Sequence, residues 1–331
     1  MNEKQSNDFA SQDISHSSFI IHHSGLITKA QSGFFTVHTE QGPVVCKLRG
    51  KLKRGRRESD LATVGDHVTI SILPDGTGVI ESVAERMRVL ARRRPSPKGR
   101  SARKADEIER ESVILANPDQ AVFVFACAQP APRLGMLDRF LVVAEANHIP
   151  AIICANKIDL ISEQEAHGLF EGFTSLGYRV IYASAHTGAG LAELRLHLAG
   201  RVSAFTGPSG VGKSSLLNTL QPGLGLAAST VSRATQKGRH TTVHPELIAL
   251  DGGGWVADTP GIRALALHDI DPYELDGYLP DIRPYVAQCD FSNCTHVREA
   301  GCAVRAGVET GAIQRRRYES YLRIRAGQEA A

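Results

Sequence analysis

The fold of this 331-residue chain is decided by the stretch Gly207-Pro208-Ser209-Gly210-Val211-Gly212-Lys213-Ser214. It matches the phosphate-loop pattern G-x-x-x-x-G-K-[ST] at every fixed position. The apolar run Val202–Thr206 precedes it and the helical run Ser214–Leu220 follows it, which is the context that the motif requires. In such a loop the backbone N–H groups surround phosphate oxygens, and the helix N-terminus adds partial positive charge. The sequence therefore predicts a nucleotide-binding α/β domain.

The loop also assigns roles to individual side chains. Lys213 is expected to reach the β- and γ-phosphates, and Ser214 to bind Mg²⁺ through its hydroxyl group. The predicted nucleotide contacts of this segment are Gly207, Pro208, Ser209, Gly210, Val211, Gly212, Lys213, Ser214 and Ser215.

Two further motifs indicate that the base is guanine. The sequence Asn156-Lys157-Ile158-Asp159 follows an apolar strand and fits N-K-x-D. The Asp159 carboxylate can accept from both N1–H and the 2-amino group of guanine, whereas adenine would leave it unpaired. Asn156 is expected to brace the loop, and the Lys157 stem to cover the ring face. Ser184-Ala185 resembles the S-A loop, in which a backbone N–H contacts the guanine oxygen. Together with the phosphate loop, these motifs favour GTP over ATP.

The sequence Asp258-Thr259-Pro260-Gly261 resembles D-x-x-G. Asp258 is expected to hold Mg²⁺, and the Gly261 N–H to sense the γ-phosphate. Between the phosphate loop and this motif lies a threonine pair. Either Thr241 or Thr242 is expected to contact Mg²⁺ and the γ-phosphate and so to order its loop in the GTP state.

The residue that orients the attacking water is open. Ile262 stands where Ras-like enzymes have a glutamine, so intrinsic hydrolysis is expected to be slow. His240 is a candidate, as are Arg239, Arg263 and a group supplied by a binding partner. The predicted catalytic set is Lys213, Thr242, Gly261 and His240.

The order of these motifs is circularly permuted. An ordinary GTPase has its phosphate loop first and its guanine motifs last, whereas here the guanine motifs come first. The site can still assemble, because strand ends converge whatever the chain order. We therefore expect a permuted GTPase domain over residues 111–267 with a mainly parallel sheet, leading directly into a C-terminal domain over residues 268–331. Through that junction the C-terminal domain is hypothesised to respond to the nucleotide.

The C-terminal domain contains the pattern Cys289-x4-Cys294-x-His296-x5-Cys302. Three thiolates and one imidazole complete a tetrahedral Zn²⁺ shell without an open position, so the site is predicted to be structural. The domain is expected to be mostly helical and to end in a basic helix over residues 312–325.

The N-terminal part shows five short β-rich runs between residues 19 and 85, starting with Phe19–Thr28. They predict an OB-type barrel, although an SH3-like barrel would show the same strand count. Residues 45–104 contain 16 basic and 6 acidic residues, a net charge of +10, which favours a polyanionic partner. The predicted RNA contacts are Lys47, Arg49, Lys51, Lys53, Arg54, Arg56, Arg57, Arg92, Arg93 and Arg94.

The remaining segments lack such patterns. Residues 1–18 are interpreted as a flexible tail without a secretion signal, and residues 86–110 as a basic linker. Hydrophobic residues make up 42% of the chain, which excludes a wholly disordered protein. No apolar run approaches the roughly 20 residues that a membrane span needs. We expect a soluble, cytoplasmic protein without a membrane partner.

A basic barrel, a permuted GTPase domain and a C-x4-C-x-H-x5-C module together resemble the RsgA (YjeQ) family of bacterial GTPases over residues 19–325. The resemblance implies hydrolysis of GTP to GDP and phosphate stimulated by the small ribosomal subunit, one structural zinc, Mg²⁺ with GTP, contact with 16S rRNA and a role in late subunit maturation. A monomer is expected. The alternatives are a permuted GTPase of the large subunit, a nucleotide-gated RNA-binding module and a P-loop enzyme unrelated to the ribosome.

Overall fold

The computed structural model describes residues 22–50, 52, 61–93, 111–224, 246–258 and 270–328, with only the backbone at residues 92, 93, 111, 112 and 258. Within these ranges the chain forms a barrel, a six-stranded sheet covered by helices, and a helical C-terminal domain. No helix among the described residues is long and apolar enough to cross a membrane.

The N-terminal strands close into a barrel in the order β1-β2-β3-β5-β4, with β4 returning to β1. Only β3 and β5 pair in parallel. This crossover gives the OB-type topology and decides between the two barrels that strand counting left open. Alternate side chains point inward, among them Phe35, Val37, Cys46 and Ile70. The strands are β1 His22–Gln31, β2 Phe34–Thr39, β3 Gly42–Leu48, β4 His67–Ile72 and β5 Gly78–Val83.

One strand lies inside the segment that was predicted to be a linker. β6, Val89–Arg93, pairs antiparallel with β7, Glu111–Ala116, so the prediction of a linker was wrong at its start. The physical reason is that the pairing partner of β6 lies some twenty residues further along the chain, so no local pattern announces it. The ribbon is tied to the barrel by Asn117, whose Nδ2 donates to the Gly65 carbonyl at 3.2 Å.

The central sheet has the strand order β10-β9-β8-β11-β13-β12, parallel throughout except for β12. Its strands are β8 Gln120–Ala126, β9 Ala151–Asn156, β10 Arg179–Ala183, β11 Val202–Thr206, β12 Leu247–Ala249 and β13 Trp255–Asp258. β8 and β11 are buried along their whole length, because helices cover both faces. These helices are α1 Leu134–Ala146, α2 Glu163–Thr174, α3 Leu191–Leu198 and α4 Lys213–Leu220.

The sheet topology places the site. From β8 the chain adds β9 and β10 on one side, and then returns to the other side of β8 with β11. The carboxyl ends of β9, β10 and β11 therefore lie along one edge, where α/β sheets bind their ligands. The permuted α/β class with an N-terminal barrel is confirmed.

The C-terminal domain packs on α1 through a core of its own. Val142 of α1 lies in the same apolar cluster as Leu279, Val304 and Tyr321. The domain contains a 3-10 helix Leu275–Tyr278 and the helices α5 Arg283–Val286, α6 Ala303–Glu309 and α7 Arg315–Arg325. α7 begins three residues after the predicted start, because the backbone of Gln314, the residue before it, is extended.

Candidate functional site

The phosphate loop lies between β11 and α4, as predicted. At two of its glycines the neighbouring atoms leave no room for a side chain. Gly207 has φ +155°, and a Cβ there would lie 2.0 Å from the Val124 carbonyl oxygen. Gly212 has φ +93°, and a Cβ there would lie 2.5 Å from Asn156 Nδ2. Any larger residue would separate the loop from β8 or from the guanine motif.

Lys213 opens α4 and is only 9% exposed. Its Nζ donates to the carbonyl oxygens of Gly207 at 2.9 Å and Pro208 at 2.7 Å. The ammonium group therefore lies within the curve of the loop, where phosphate oxygens bind in a loop of this type. Ser214 and Ser215 follow in the first turn and are half-buried.

Asn156 is the last residue of β9 and is 1% exposed. Its Nδ2 donates to the Val211 carbonyl at 2.7 Å, and its Oδ1 accepts from the Ala185 N–H at 3.3 Å. One amide side chain thus joins the phosphate loop and the S-A loop. Lys157 adopts a left-handed backbone conformation, and its Nζ donates to the Gly210 carbonyl at 2.7 Å. The three predicted motifs therefore meet at one edge of the sheet.

The carboxylate of Asp159 is held by the S-A loop. Ser184 Oγ donates to Asp159 Oδ1 at 2.5 Å and itself accepts from the N–H groups of His186 at 3.2 Å and Thr187 at 3.1 Å. Asp159 Oδ2 lies 3.9 Å from His186 Nδ1, and the Asp159 side chain is 22% exposed. A fixed, accessible carboxylate is what recognition of two neighbouring N–H groups on a base requires. His186 was missed by the sequence reasoning, since nothing in its spacing marks it.

Asp258 is the last residue of β13 and pairs in register with Phe205 of β11. The D-x-x-G motif therefore starts one strand away from the phosphate loop. The other predicted switch and catalytic residues lie outside the described residues, namely His240, Thr241, Thr242 and Gly261.

The four predicted metal ligands converge in the C-terminal domain. The potential donor atoms of Cys289, Cys294, His296 and Cys302 all lie within 4.8 Å of one another. Cys289 Sγ and Cys302 Sγ are 4.0 Å apart, and His296 Nδ1 lies 3.5 and 3.4 Å from them. Zinc bonds of about 2.3 Å to sulfur and 2.0 Å to nitrogen give a sulfur–sulfur edge of roughly 3.8 Å and a sulfur–nitrogen edge of roughly 3.5 Å in a tetrahedron. The donor set therefore fits a tetrahedral metal ion.

A second layer of contacts orients the ligands. Asp276 Oδ2 lies 2.9 Å from His296 Nε2, which leaves Nδ1 facing the thiols. Burial acts against a charge on His296, but the Asp276 carboxylate and the Cys302 and Cys289 sulfurs outweigh it and raise the pKa to about 9. Burial also acts to raise the pKa of Cys302, but hydrogen bonds from the Arg305 N–H and His296 lower it overall. Burial instead raises the pKa of the Cys294 thiol to about 12, so the surroundings favour the metal-binding thiolate form at Cys302. Asp276 was not predicted, since no spacing rule connects it to the cysteines.

Comparison with known proteins agrees with this geometry. The family model described as RsgA GTPase matches residues 96–268, and that of the RsgA N-terminal domain matches residues 24–80. The chain belongs to the RsgA GTPase family. A relative from Gemmatimonas aurantiaca is 43% identical over 304 residues, covering 91% of this chain and 96% of its own length. One from Moorella thermoacetica is 43% identical over 298 residues, covering 90% and 94%. Both are named small ribosomal subunit biogenesis GTPase RsgA.

Two solved RsgA-type structures have the same architecture. YjeQ from Thermotoga maritima is 35% identical with a TM-score of 0.75, covering 92% of this chain and 98% of its own. YloQ, described as a circularly permuted GTPase, is 34% identical with a TM-score of 0.72, covering 94% and 96%. Membership of the RsgA family makes the chain a GTP hydrolase, with the permuted motif order as the sequence predicted.

The structure describes the side chains of only two of the predicted RNA contacts in this RsgA-family chain, Lys47 and Arg49. Lys47 is exposed on β3 with its Nζ 4.8 Å from the centre of the Phe34 ring, and Phe34 is 47% exposed. Arg49 is exposed but pairs with Glu81. Arg92 and Arg93 lie on β6, of which only the backbone is described there. The other predicted contacts lie outside the described residues, namely Lys51, Lys53, Arg54, Arg56, Arg57 and Arg94.

Proposed function

We propose that this RsgA-family GTPase hydrolyses GTP to GDP and phosphate while bound to the small ribosomal subunit, late in its maturation, and that the subunit stimulates hydrolysis. The observation that carries the proposal is the single Asn156 side chain that joins the phosphate loop and the S-A loop beside Asp159. The printed name of the relatives supplies the ribosomal role. Because the proposed partner is a ribosomal subunit, we propose that the enzyme acts in the cytoplasm.

In this proposal the two ends of the nucleotide are held by different loops. Asp159 accepts from the guanine base, and Lys213 neutralises charge on the β- and γ-phosphates. Mg²⁺ supplies charge neutralisation at the phosphates when bound, and Ser214, Asp258 and one of Thr241 and Thr242 would hold it. Gly261 senses the γ-phosphate, and His240 is the candidate for placing the attacking water.

The metal of the C-terminal domain is proposed to be one Zn²⁺ ion, held by Cys289, Cys294, His296 and Cys302. The separations between the donor atoms support this ion, and four protein ligands leave no open position for catalysis. The loops between the ligands are short and polar, so the ion is expected to stabilise the fold of this domain.

The RNA surface is proposed to be the outward face of β2 and β3. On this face Phe34 lies opposite Lys47 in the strand register, and the neighbouring Val45 is 50% exposed. An exposed ring beside an ammonium group suits an unpaired base stacked on the ring with its phosphate near the charge. Part of the 16S rRNA in the maturing subunit is the proposed partner.

GTP turnover with purified small subunits, with large subunits and without ribosomes tests the proposal. We expect small subunits, but not large subunits, to raise turnover by about 10-fold or more over the value without ribosomes, since a missing water-orienting group can be supplied in trans. Lys213→Ala serves as the control and should remove turnover in all three conditions. Equal turnover in the three conditions with the wild-type chain would contradict the ribosomal role but not the nucleotide site.

His240 is tested in the same assay. His240→Ala should lower turnover with small subunits much more than it lowers GTP affinity, because the proposed role concerns only the attacking water. Unchanged turnover would remove His240 from the catalytic set.

A further inference from the structure

The arginine-rich helix α7 uses two of its arginines inside the protein. Arg317 is 2% exposed, and its Nη1 donates to Asp138 Oδ1 at 2.6 Å. Its Nε and Nη2 donate to the two carboxylate oxygens of Asp281 at 3.0 and 2.8 Å. Arg317 thus bridges the GTPase domain, to which Asp138 belongs, and the C-terminal domain, to which Asp281 belongs.

Asp138 receives further bonds from the same helix. It is fully buried on α1, and its Oδ2 accepts from Arg316 Nη1 at 2.8 Å and from Ser320 Oγ at 2.5 Å. Two cations and a hydroxyl group on α7 therefore hold one acid on α1. A buried carboxylate with this many donors fixes the position of one helix on the other, because losing a partner leaves an uncompensated charge.

Two tyrosines of α7 contact the backbone of the metal loop, residues 289–302, which carries the four potential metal ligands. Tyr318 Oη donates to the His296 carbonyl at 2.6 Å, and Tyr321 Oη donates to the Thr295 carbonyl at 2.9 Å. His296 is itself a potential ligand. α7 therefore binds both α1 and the backbone at the potential ligand His296.

The N-terminal end of α1, close to Asp138, is connected to the nucleotide loops. The Gln129 carbonyl, five residues before α1 begins, accepts from Lys157 Nζ, and that group also donates to Gly210 of the phosphate loop at 2.7 Å. Met136 and Phe140 of α1 line a cavity of about 300 Å³ whose other wall is the phosphate loop. A shift of α1 along α7 would therefore reach both the guanine motif and the phosphate loop.

We propose that Asp138 and Arg317 are positioning residues that couple the metal loop to the nucleotide site, so that metal bound to the Cys/His cluster raises the affinity for guanine nucleotide. The coupling runs from the metal loop through α7 to α1 and then to Lys157, and it is separate from the covalent junction after Asp258. The inference rests on the proposed metal site, and it concerns nucleotide binding rather than ribosome-stimulated turnover.

The test is the affinity of the full chain for Mg²⁺-GDP, measured by calorimetry with Zn²⁺ bound and after removal of Zn²⁺ by a chelator. Couplings between sites typically change affinity by about 5- to 150-fold, and we expect the lower end of that range here. In Asp138→Asn and Ser320→Ala the ratio of the two affinities should fall towards one, while the zinc content stays at one ion per chain. Ser320→Ala removes a single hydrogen bond and decides the question if Asp138→Asn does not fold.

Tyr278→Phe is the matched control. It removes a hydroxyl bond to Glu274 within the same domain, and that bond reaches neither α1 nor the metal loop, so the ratio should equal that of the wild type. In the wild type Zn²⁺ should also slow hydrogen exchange in residues 134–146, and Ser320→Ala should abolish this effect.

Each opposing result identifies what fails. A chain that binds no zinc overturns the proposed metal site and the coupling with it. A zinc-binding wild type with equal GDP affinities in both states overturns the coupling alone. A ratio that stays at the wild-type value in Ser320→Ala overturns the route through Asp138.

Discussion

Two arginine- and lysine-rich stretches of this chain look alike in sequence and behave differently in the structure. In β3 of the barrel and directly after it, Lys47 and Arg49 are exposed, and Lys47 lies over the exposed ring of Phe34. On α7, Arg316 and Arg317 turn inward and bind acids of two domains. The first stretch is available to a partner, whereas two of the five arginines of α7 bind acids that hold the two domains together.

The difference follows from the periodicity of each element. Lys47 of β3 and Arg49 directly after it alternate with the buried Cys46 and Leu48, so a period of two places both basic residues on the outer face. In α7 the buried residues Ser320 and Ile324 recur at helical spacing after Arg317, which places Arg317 on the same inner face. Charge density therefore does not identify a nucleic-acid surface until the face of each charge is known.

The largest expected effect is on α7. Asp138→Ala takes away the acid that binds Arg316 and leaves the buried Arg317 with Asp281 alone, and removing one partner from such a buried charged network costs about 3–5 kcal/mol. Urea unfolding of the zinc-loaded protein measures the loss, which should hardly depend on salt. Arg315→Ala, at an exposed position of the same helix, should change stability by less than about 0.5 kcal/mol. Equal effects of the two changes would contradict the inward role of α7.

Changes on the exposed face of the barrel should affect binding to the small subunit rather than stability, in contrast to changes in α7. Phe34→Ala is expected to weaken binding to the small subunit by about 1–3 kcal/mol, the contribution of one base stacked on a ring. Stability should change little because the ring is half exposed. Leu73→Ala alters an exposed apolar residue of the barrel outside the β2–β3 face and should leave binding intact. Binding that survives Phe34→Ala would move the RNA contact elsewhere.

The smallest expected effect is a difference between Lys47 and Arg49 in the salt dependence of binding. Lys47→Ala should reduce the slope of the binding constant against salt by about one, as expected for one phosphate contact. Arg49→Ala should reduce it less, because Glu81 already compensates Arg49. Binding constants at several salt concentrations measure both slopes, and an order reversed between the two variants would show that Arg49 leaves Glu81 for RNA.

The sequence could predict those parts of the structure whose signal is local. The phosphate loop needs a strand, glycines and a helix, and here these lie within the 19 residues from Val202 to Leu220. The motif order alone indicated the permutation. The predicted metal ligands lie within 14 residues of one another, from Cys289 to Cys302, and their potential donor atoms converge in the structure. Each of these is a short pattern with one chemical purpose.

The rest depends on pairings between distant residues. The barrel type is set by which strands become neighbours, and β6 was missed because β7 lies well beyond it. Arg317 binds Asp138, 179 positions earlier, and Asp281, 36 positions earlier. The one local hint was Asp138 itself, an acid within the otherwise apolar stripe of α1, since a buried acid needs a cation.

The account depends most on Asp159 reading guanine while Lys213 holds the phosphates, and calorimetry with diphosphates in the presence of Mg²⁺ tests this directly. We expect the wild type to bind GDP at least ~10³-fold more tightly than ADP, since a hydrogen-bonding site rejects a base that lacks its partner groups. Asp159→Asn should instead prefer xanthosine diphosphate, because the amide N–H can donate to the 2-carbonyl group of xanthine. A wild type that binds ADP as tightly as GDP, or an Asp159→Asn variant that keeps its preference for GDP, would contradict the account.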